Sequence, residues 1–324
     1  MGMAGDEKGR LERLLEEARE ASWAHFGKRI AFYLPGMVRY GGERGRYPAL
    51  SITGPDCRLN CEHCKGEVLR PMVPATTPEA LIEKCLQIAA QGNYGCLLTG
   101  GCMEDGSLPW ASFMDAIAEV KRRTNLWISI HSGLIDNETA RGLKRAGIDQ
   151  ALIEVIGDGK TWKEVYHLDN GMEAMERSLH ALFNAGLEVV PHIVVGLYFG
   201  RIEGEFRALE ITAAFNPRQM AIVSLMPISG TPMKGVRPPE PEEIAEVIAT
   251  ARLLMPTTLI SLGCARSRGK ESSRIEDYAV DAGVNRMAIP SDSAMERARY
   301  YGLEMAFYNT CCSVPGPMET GFNE

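Results

Sequence analysis

Between residues 49 and 289, short apolar runs alternate with amphipathic segments, and no other feature of the chain restricts its fold as much. The runs read as strands at 49–53, 95–99, 126–131, 151–156, 188–195, 219–225, 258–263 and 285–289. Helical patterns separate them, among them TPEALIEKCLQIAAQG (77–92), GMEAMERSLHALFNAG (171–186) and PEPEEIAEVIATARLLM (239–255). The first and third carry Pro and Glu at the helix start, and the first two end on the Gly that stops a helix. Eight strand–helix units predict an α/β fold, a (β/α)8 TIM-type barrel, whole or partial. A doubly wound open sheet is the other arrangement such a pattern allows. With 324 residues, 45% of them hydrophobic, the chain suits one domain of barrel size or two medium ones. No linker divides it after residue 47. The expected layout is an N-terminal helix and connector (1–47), the barrel (48–303), and a C-terminal segment ending in a mobile tail (304–324). Leu11, Leu14, Leu15 and Ala18 give residues 7–25 their helical spacing.

The net charge of −7, without a long basic run, argues against a nucleic-acid partner. No apolar run reaches membrane-spanning length, and the charged N-terminus lacks the apolar stretch of a signal peptide. A cytoplasmic protein is expected. In such a compartment nine cysteines, an odd number, point to metal or redox chemistry rather than disulfides.

Three of the nine, Cys57, Cys61 and Cys64, fall in "CRLNCEHC" with C-x3-C-x2-C spacing. They lie just past the first strand, on the face where a barrel carries its active site. Three occupants compete. Structural zinc needs four ligands, with His63 as a fourth. An electron-transfer cluster wants four local thiolates. A [4Fe–4S] cluster on three cysteines leaves one iron open to a substrate or cofactor, and it fits both the count and the position.

Through "CRLNCEHC" the chain resembles the radical S-adenosylmethionine (radical SAM) superfamily. The resemblance implies that Cys57, Cys61 and Cys64 hold the cluster and that S-adenosylmethionine binds the open iron. Cleavage of that cofactor, driven by a low-potential electron donor, then yields a 5′-deoxyadenosyl radical that abstracts hydrogen from an unactivated C–H. His63 stands where an adenine-contacting aromatic is usual. Gly100 and Gly101 match the turn that meets the methionyl end of the cofactor, with Cys102 where an acidic residue often follows. Glu154, inside an apolar strand, matches the residue that holds the ribose. His192 and Gly196 match an adenine-lining segment, and Ser129 and His131 point toward the same mouth. "MPISGTPM", "ARLLMPTTLISLGCAR" and "DAGVNRMA" resemble biotin synthase and its relatives over residues 48–303.

Biotin synthase holds a second cluster through cysteines on three successive strands and an arginine on a later one. Here only Cys96 matches; Ser129, Val190 and Ser261 stand at the other places. Other thiols compensate, so Cys96, Cys102, Cys264, Cys311 and Cys312 form the candidate ligand set of a second iron–sulfur cluster, with the Cys311–Cys312 pair folding over the mouth. Cys85 reads as a small core residue. The combination is similar to the two-component lipoyl synthases. That likeness implies sulfur insertion into an octanoylated carrier protein with a paralogous radical SAM partner. A cofactor-maturation enzyme, a mutase, or a zinc-stapled binding protein are the other readings. The loop "CARSRGK" offers Arg266, Arg268 and Lys270 to a carboxylate, Arg266 matching an arginine of the biotin synthase turn.

Overall fold

The computed structural model describes residues 3–316 apart from 37, 41 and 269; the tail at 317–324 and the side chain of Lys270 lie outside the described residues. In chain order the strands are β1 (Arg29–Tyr33), β2 (Arg39–Tyr40), β3 (Glu43–Arg44), β4 (Ala49–Ser51), β5 (Val73–Pro74), β6 (Gly95–Thr99), β7 (Trp127–His131), β8 (Gln150–Glu154), β9 (Glu188–Val195), β10 (Gln219–Ser224), β11 (Leu259–Leu262), β12 (Arg286–Ala288) and β13 (Glu304–Tyr308). β2 and β3 form a small hairpin; the others make one parallel sheet in the order β13-β1-β12-β11-β10-β9-β8-β7-β6-β4-β5. All eight expected strands are present, their ends shifted by at most two residues. β1 and β13 were not anticipated. Both lie outside the strand–helix repeat, yet they pair with each other in register from Arg29–Glu304 to Tyr33–Tyr308. The N-terminal connector and the C-terminal segment therefore both enter the main sheet.

The sheet does not close. β13 and β5 are its edges, so the fold is a partial (β/α) barrel rather than a closed ring. Its curl is visible in contacts across the lumen. The chain leaving β13 crosses the barrel base, where Gln150 Nε2 on β8 donates to the Ser313 carbonyl at 2.9 Å. Arg286 Nη1 on β12 donates to the Cys312 carbonyl at 3.0 Å, joined by Ser261 Oγ on β11 at 3.4 Å. A flat sheet of this strand order holds β8 and β13 far apart. Around the same base, the Tyr47 hydroxyl and Ser129 Oγ share a 2.6 Å hydrogen bond, Ser129 Oγ donates to Gln150 Oε1, and Arg286 donates to Gln219. A polar layer buried this deeply is tolerated because each group has a partner.

Helices cover the outer face. The N-terminal helix Met3–Phe26 lies along the helix Pro241–Leu254, held by buried Leu15 and Ala18 and a 2.9 Å Arg10–Glu246 pair. Arg252 explains the "AR..MPT" phrase in structural terms. Its fully buried guanidinium sits over the Phe26 ring at 5.1 Å and donates to the Pro256 and Thr258 carbonyls, at 3.2 and 2.7 Å, and to the Asn285 side chain. A cation placed there closes the C-terminal end of its helix. Among the described residues no helix is long and apolar enough to cross a membrane.

A chain ending at Asn309 would leave Gln150 and Arg286 without their carbonyl partners in the base. Each unsatisfied buried donor costs about 1–3 kcal/mol. The truncated protein is therefore expected to lose at least about 2 kcal/mol in urea unfolding; an unchanged midpoint would show that the segment does not support the barrel.

Candidate radical-cofactor site

The three-cysteine loop follows β4 and is built by local hydrogen bonds. Ser51 Oγ donates to the Gly54 carbonyl, and the Cys64 and Lys65 amides both donate to the Cys61 carbonyl. Asn60 and Lys65 take left-handed backbone angles (φ 52° and 45°) that fold the loop tightly. The turn after β6 supports it from below. The Cys102 carbonyl accepts the amides of Arg58 and Leu59 at 2.8 and 3.2 Å. At Gly101 a Cβ would stand 2.0 Å from the Asp56 carbonyl oxygen and 2.5 Å from Cys57 Cβ. Gly101 is therefore needed for close approach. Its N–H, expected to face a cofactor, is instead donated to Thr53 Oγ1 at 2.7 Å.

Cys61 and Cys64 are buried and Cys57 is partly exposed. The neighbouring Cys61 thiol, and then, against its burial, His63, push Cys64 down to about 4, while Cys64 and burial push Cys61 up. Among the described residues no three His, Cys, Asp or Glu side chains gather as one metal ion requires. A cluster makes no such demand, because each thiolate takes a different iron. His63 is half the expected adenine contact: it is aromatic, its ring lies 5.4 Å from that of Tyr166, and its Nδ1 is buried without a hydrogen-bond partner. An orphaned buried nitrogen beside the thiols suits a group bound there.

Across the lumen, three anticipated residues come together. Glu154 and His192 are register partners on β8 and β9, and the His131 and His192 rings stand edge to face at 5.9 Å. Glu154 and His131 lie deep in the fold yet remain accessible, because they face the open lumen. The desolvating walls of the lumen push both imidazoles down: His131 to about 3, with His192 adding to the effect, and His192 despite its Nδ1 contact with the Val190 carbonyl. Tyr166 was missed. Its hydroxyl donates to Glu154 Oε2, and burial followed by that carboxylate raises it well above the usual phenol. It sits in a turn after the short helix Gly159–Glu164, where spacing carries no signal.

Several expectations need correction. Ser129 is spent in the base layer with Tyr47 and Gln150, out of reach of the mouth. Cys96 is on the outer face of β6: inward-facing Gly95 abuts Tyr47, and the next residue of a strand must point the other way. The Cys96 thiol hydrogen-bonds Cys85 on the helix Pro78–Ala90, so the two form a core contact rather than a cluster ligand set. Gly196 marks a left-handed turn (φ 79°) packed on Pro239, its N–H donated to Glu205 at 2.7 Å. Arg266 is fully buried. It pairs with Glu276 at 2.7 Å and donates to the Gly263, Ala288 and Ile289 carbonyls, so its charge is already paired inside the fold rather than offered to a carboxylate ligand. Arg268 donates to the Cys264 carbonyl.

The remaining thiols divide between two places. Cys102 belongs to the three-cysteine loop, and its own thiol is pushed up to about 12 by burial and then by Cys57 and Glu154. Cys311 and Cys312 pack together elsewhere, with exposed Cys264 within reach of their charge. Cys311 is drawn down to about 6, first by the Cys312 thiol and then by Ser313, whose Oγ lies 3.5 Å from its sulfur. Cys264 feels the charge of Cys311 directly. The pair reaches the lumen from the base, held by the Cys312 carbonyl, and does not fold over the mouth.

Residues 221–313 match the Biotin and Thiamin Synthesis associated domain family. The biotin synthase of Leptothrix cholodnii is 29% identical over 244 residues, covering 73% of this chain and 69% of that protein. The biotin synthase of Halorhodospira halophila is 25% identical over 284 residues, covering 85% and 81%. Among solved structures, methylornithine synthase superposes with a TM-score of 0.61 at 19% identity, over 91% of this chain and 89% of that one. A maturase of the [FeFe]-hydrogenase, HydG, superposes with a TM-score of 0.64 at 15% identity, over 91% and 68%. At these identities the structural likeness concerns the fold.

Two substitutions test this geometry. Gly101→Ala forces a methyl group into the Cys57 backbone, and overpacking of this kind costs about 1–3 kcal/mol. The variant is expected to unfold at lower urea concentration and to retain less iron than wild type. Glu276→Gln leaves the Arg266 cation unpaired and is expected to cost about 3–5 kcal/mol. Burial alone would raise the Glu276 carboxyl, but Arg266 and Ser291 outweigh it and hold it below the usual value. Its contribution is thus present above the unfolded pKa of about 4.3 and lost as pH falls through the lower folded value. A stability-versus-pH curve for Glu276→Gln should lack that acid-side loss.

Proposed function

The chain is a biotin synthase-like member of the radical SAM superfamily, and on that premise we propose that it inserts sulfur at unactivated carbon, converting an octanoyl chain to a lipoyl group. When bound, a [4Fe–4S] cluster and S-adenosylmethionine supply the 5′-deoxyadenosyl radical that opens a C–H bond. Cys57, Cys61 and Cys64 would hold the cluster. Glu154, steadied by the Tyr166 hydroxyl, offers a carboxylate to the ribose hydroxyls, and His63 offers its ring to the adenine. His131 and His192, both neutral, line the lumen without adding charge to a place where an apolar chain must lie.

The observation that carries the sulfur reading is a second set of thiols: Cys311 and Cys312, whose peptide is held by Ser261 and Arg286, with exposed Cys264 within reach of their charge. A second iron–sulfur cluster, as sulfur source, would draw on these thiols rather than on Cys96. The base layer of Ser129, Gln150, Ser261 and Arg286 is filled by the C-terminal peptide, which is a different use of that space from a cluster held on the strands. The substrate would be an octanoylated carrier protein, with a low-potential electron donor and a paralogous radical SAM protein as partners.

Anaerobic turnover with an octanoylated carrier peptide, with and without a paralogous partner, is read by mass spectrometry; gain of sulfur is expected, and no gain in any combination contradicts the proposal. Cys61→Ala should reduce 5′-deoxyadenosine formation to background. A Cys57/Cys61/Cys64 triple Ala variant should still bind iron, and adding Cys264→Ala and Cys311→Ala should remove the remainder.

A further inference from the structure

We propose that Cys102 is an exchangeable fourth ligand of the three-cysteine site, occupying the open iron until S-adenosylmethionine displaces it. The inference rests on the radical SAM reading and concerns a residue that reading leaves without a role. Cys102 is tied to the loop it would serve. Its carbonyl accepts the Arg58 and Leu59 amides and lies 3.9 Å from Cys57 Sγ, while neighbouring Gly101 packs on Cys57. Its half-buried thiol is close enough to Cys57, Cys64 and Glu154 to interact with their charges, and Cys61 in turn senses Cys102. The Cys102 side chain thus stands within electrostatic reach of all three loop thiols, on a backbone hydrogen-bonded to the loop itself. Glu154 is the rival donor, but it already accepts the Tyr166 hydroxyl, and iron–sulfur clusters prefer thiolate to carboxylate.

The exchange balances without any redox change. The iron–sulfur bond to Cys102 breaks, and bonds to the amino nitrogen and carboxylate oxygen of the cofactor form. The cofactor arrives as an ammonium ion and must lose a proton to ligate; the released Cys102 thiolate takes that proton. The site therefore binds a neutralised amine without exporting charge, and the iron is shielded while no cofactor is present.

The test uses full-length protein reconstituted anaerobically, as wild type, Cys102→Ala and Cys102→Ser. Mild oxidation is followed by electron paramagnetic resonance for the signal of a cluster that has lost one iron. Without cofactor, wild type should resist and both variants should lose the iron, at least about tenfold faster. Saturating S-adenosylmethionine should remove the difference. The variants should also bind the cofactor more tightly, by the factor with which the thiolate-bound form outweighs the open one. Equal loss in wild type and variants, with equal affinity, overturns the proposal. Failure of folded Cys102→Ser to take up any cluster overturns it too, because the ligand would then be permanent. A colourless wild type holding stoichiometric zinc would instead overturn the underlying radical SAM reading.

Discussion

The Cys102 carbonyl, taking the amides of Arg58 and Leu59, joins the three-cysteine loop to the end of β6. That contact sets the height of the thiols above the lumen. It works only because residue 101 has no Cβ, so the turn can lie against Cys57. From there, parallel register does the rest: β4 pairs with β6, β6 with β7, and so on to β9, which puts Glu154 and His192 side by side across the lumen from the loop.

The opposite end of the lumen answers a different problem. A partial barrel exposes its base, and this chain closes it with its own C-terminal peptide. Peptide carbonyls need donors, and the strands provide them as Gln150, Ser261 and Arg286. The same peptide brings Cys311 and Cys312 toward Cys264. One segment thereby supports the fold and delivers sulfur to the interior, so the stability of the base and the composition of the second thiol group are linked.

The barrel strands were legible because each is a continuous apolar run bounded by helix caps. The three-cysteine loop was legible because its spacing is local: all three thiols lie within one turn-rich segment after β4, where Cys61 and Cys64 are buried side by side. β1 and β13 were not, since RIAFY and EMAFY sit beside no helix of the repeat and owe their pairing to contacts nearly the whole chain apart. Side-chain direction was the other limit. Cys96 and Leu97 are neighbours in an apolar strand, and only the register shows that the thiol turns outward to Cys85. Arg266 was misread because a matching position says nothing about Glu276, ten residues on, which claims it. Tyr166 was invisible for the converse reason: its partner Glu154 belongs to a different element.

The central claim is that a three-thiolate loop holds a cluster with one iron available to S-adenosylmethionine. Electron–nuclear double resonance on the reduced, reconstituted protein with isotope-labelled cofactor measures this directly. Hyperfine coupling from the labelled amino nitrogen and carboxylate is the result expected. A reduced cluster whose spectrum carries no coupling to either label, at saturating cofactor, would contradict the account.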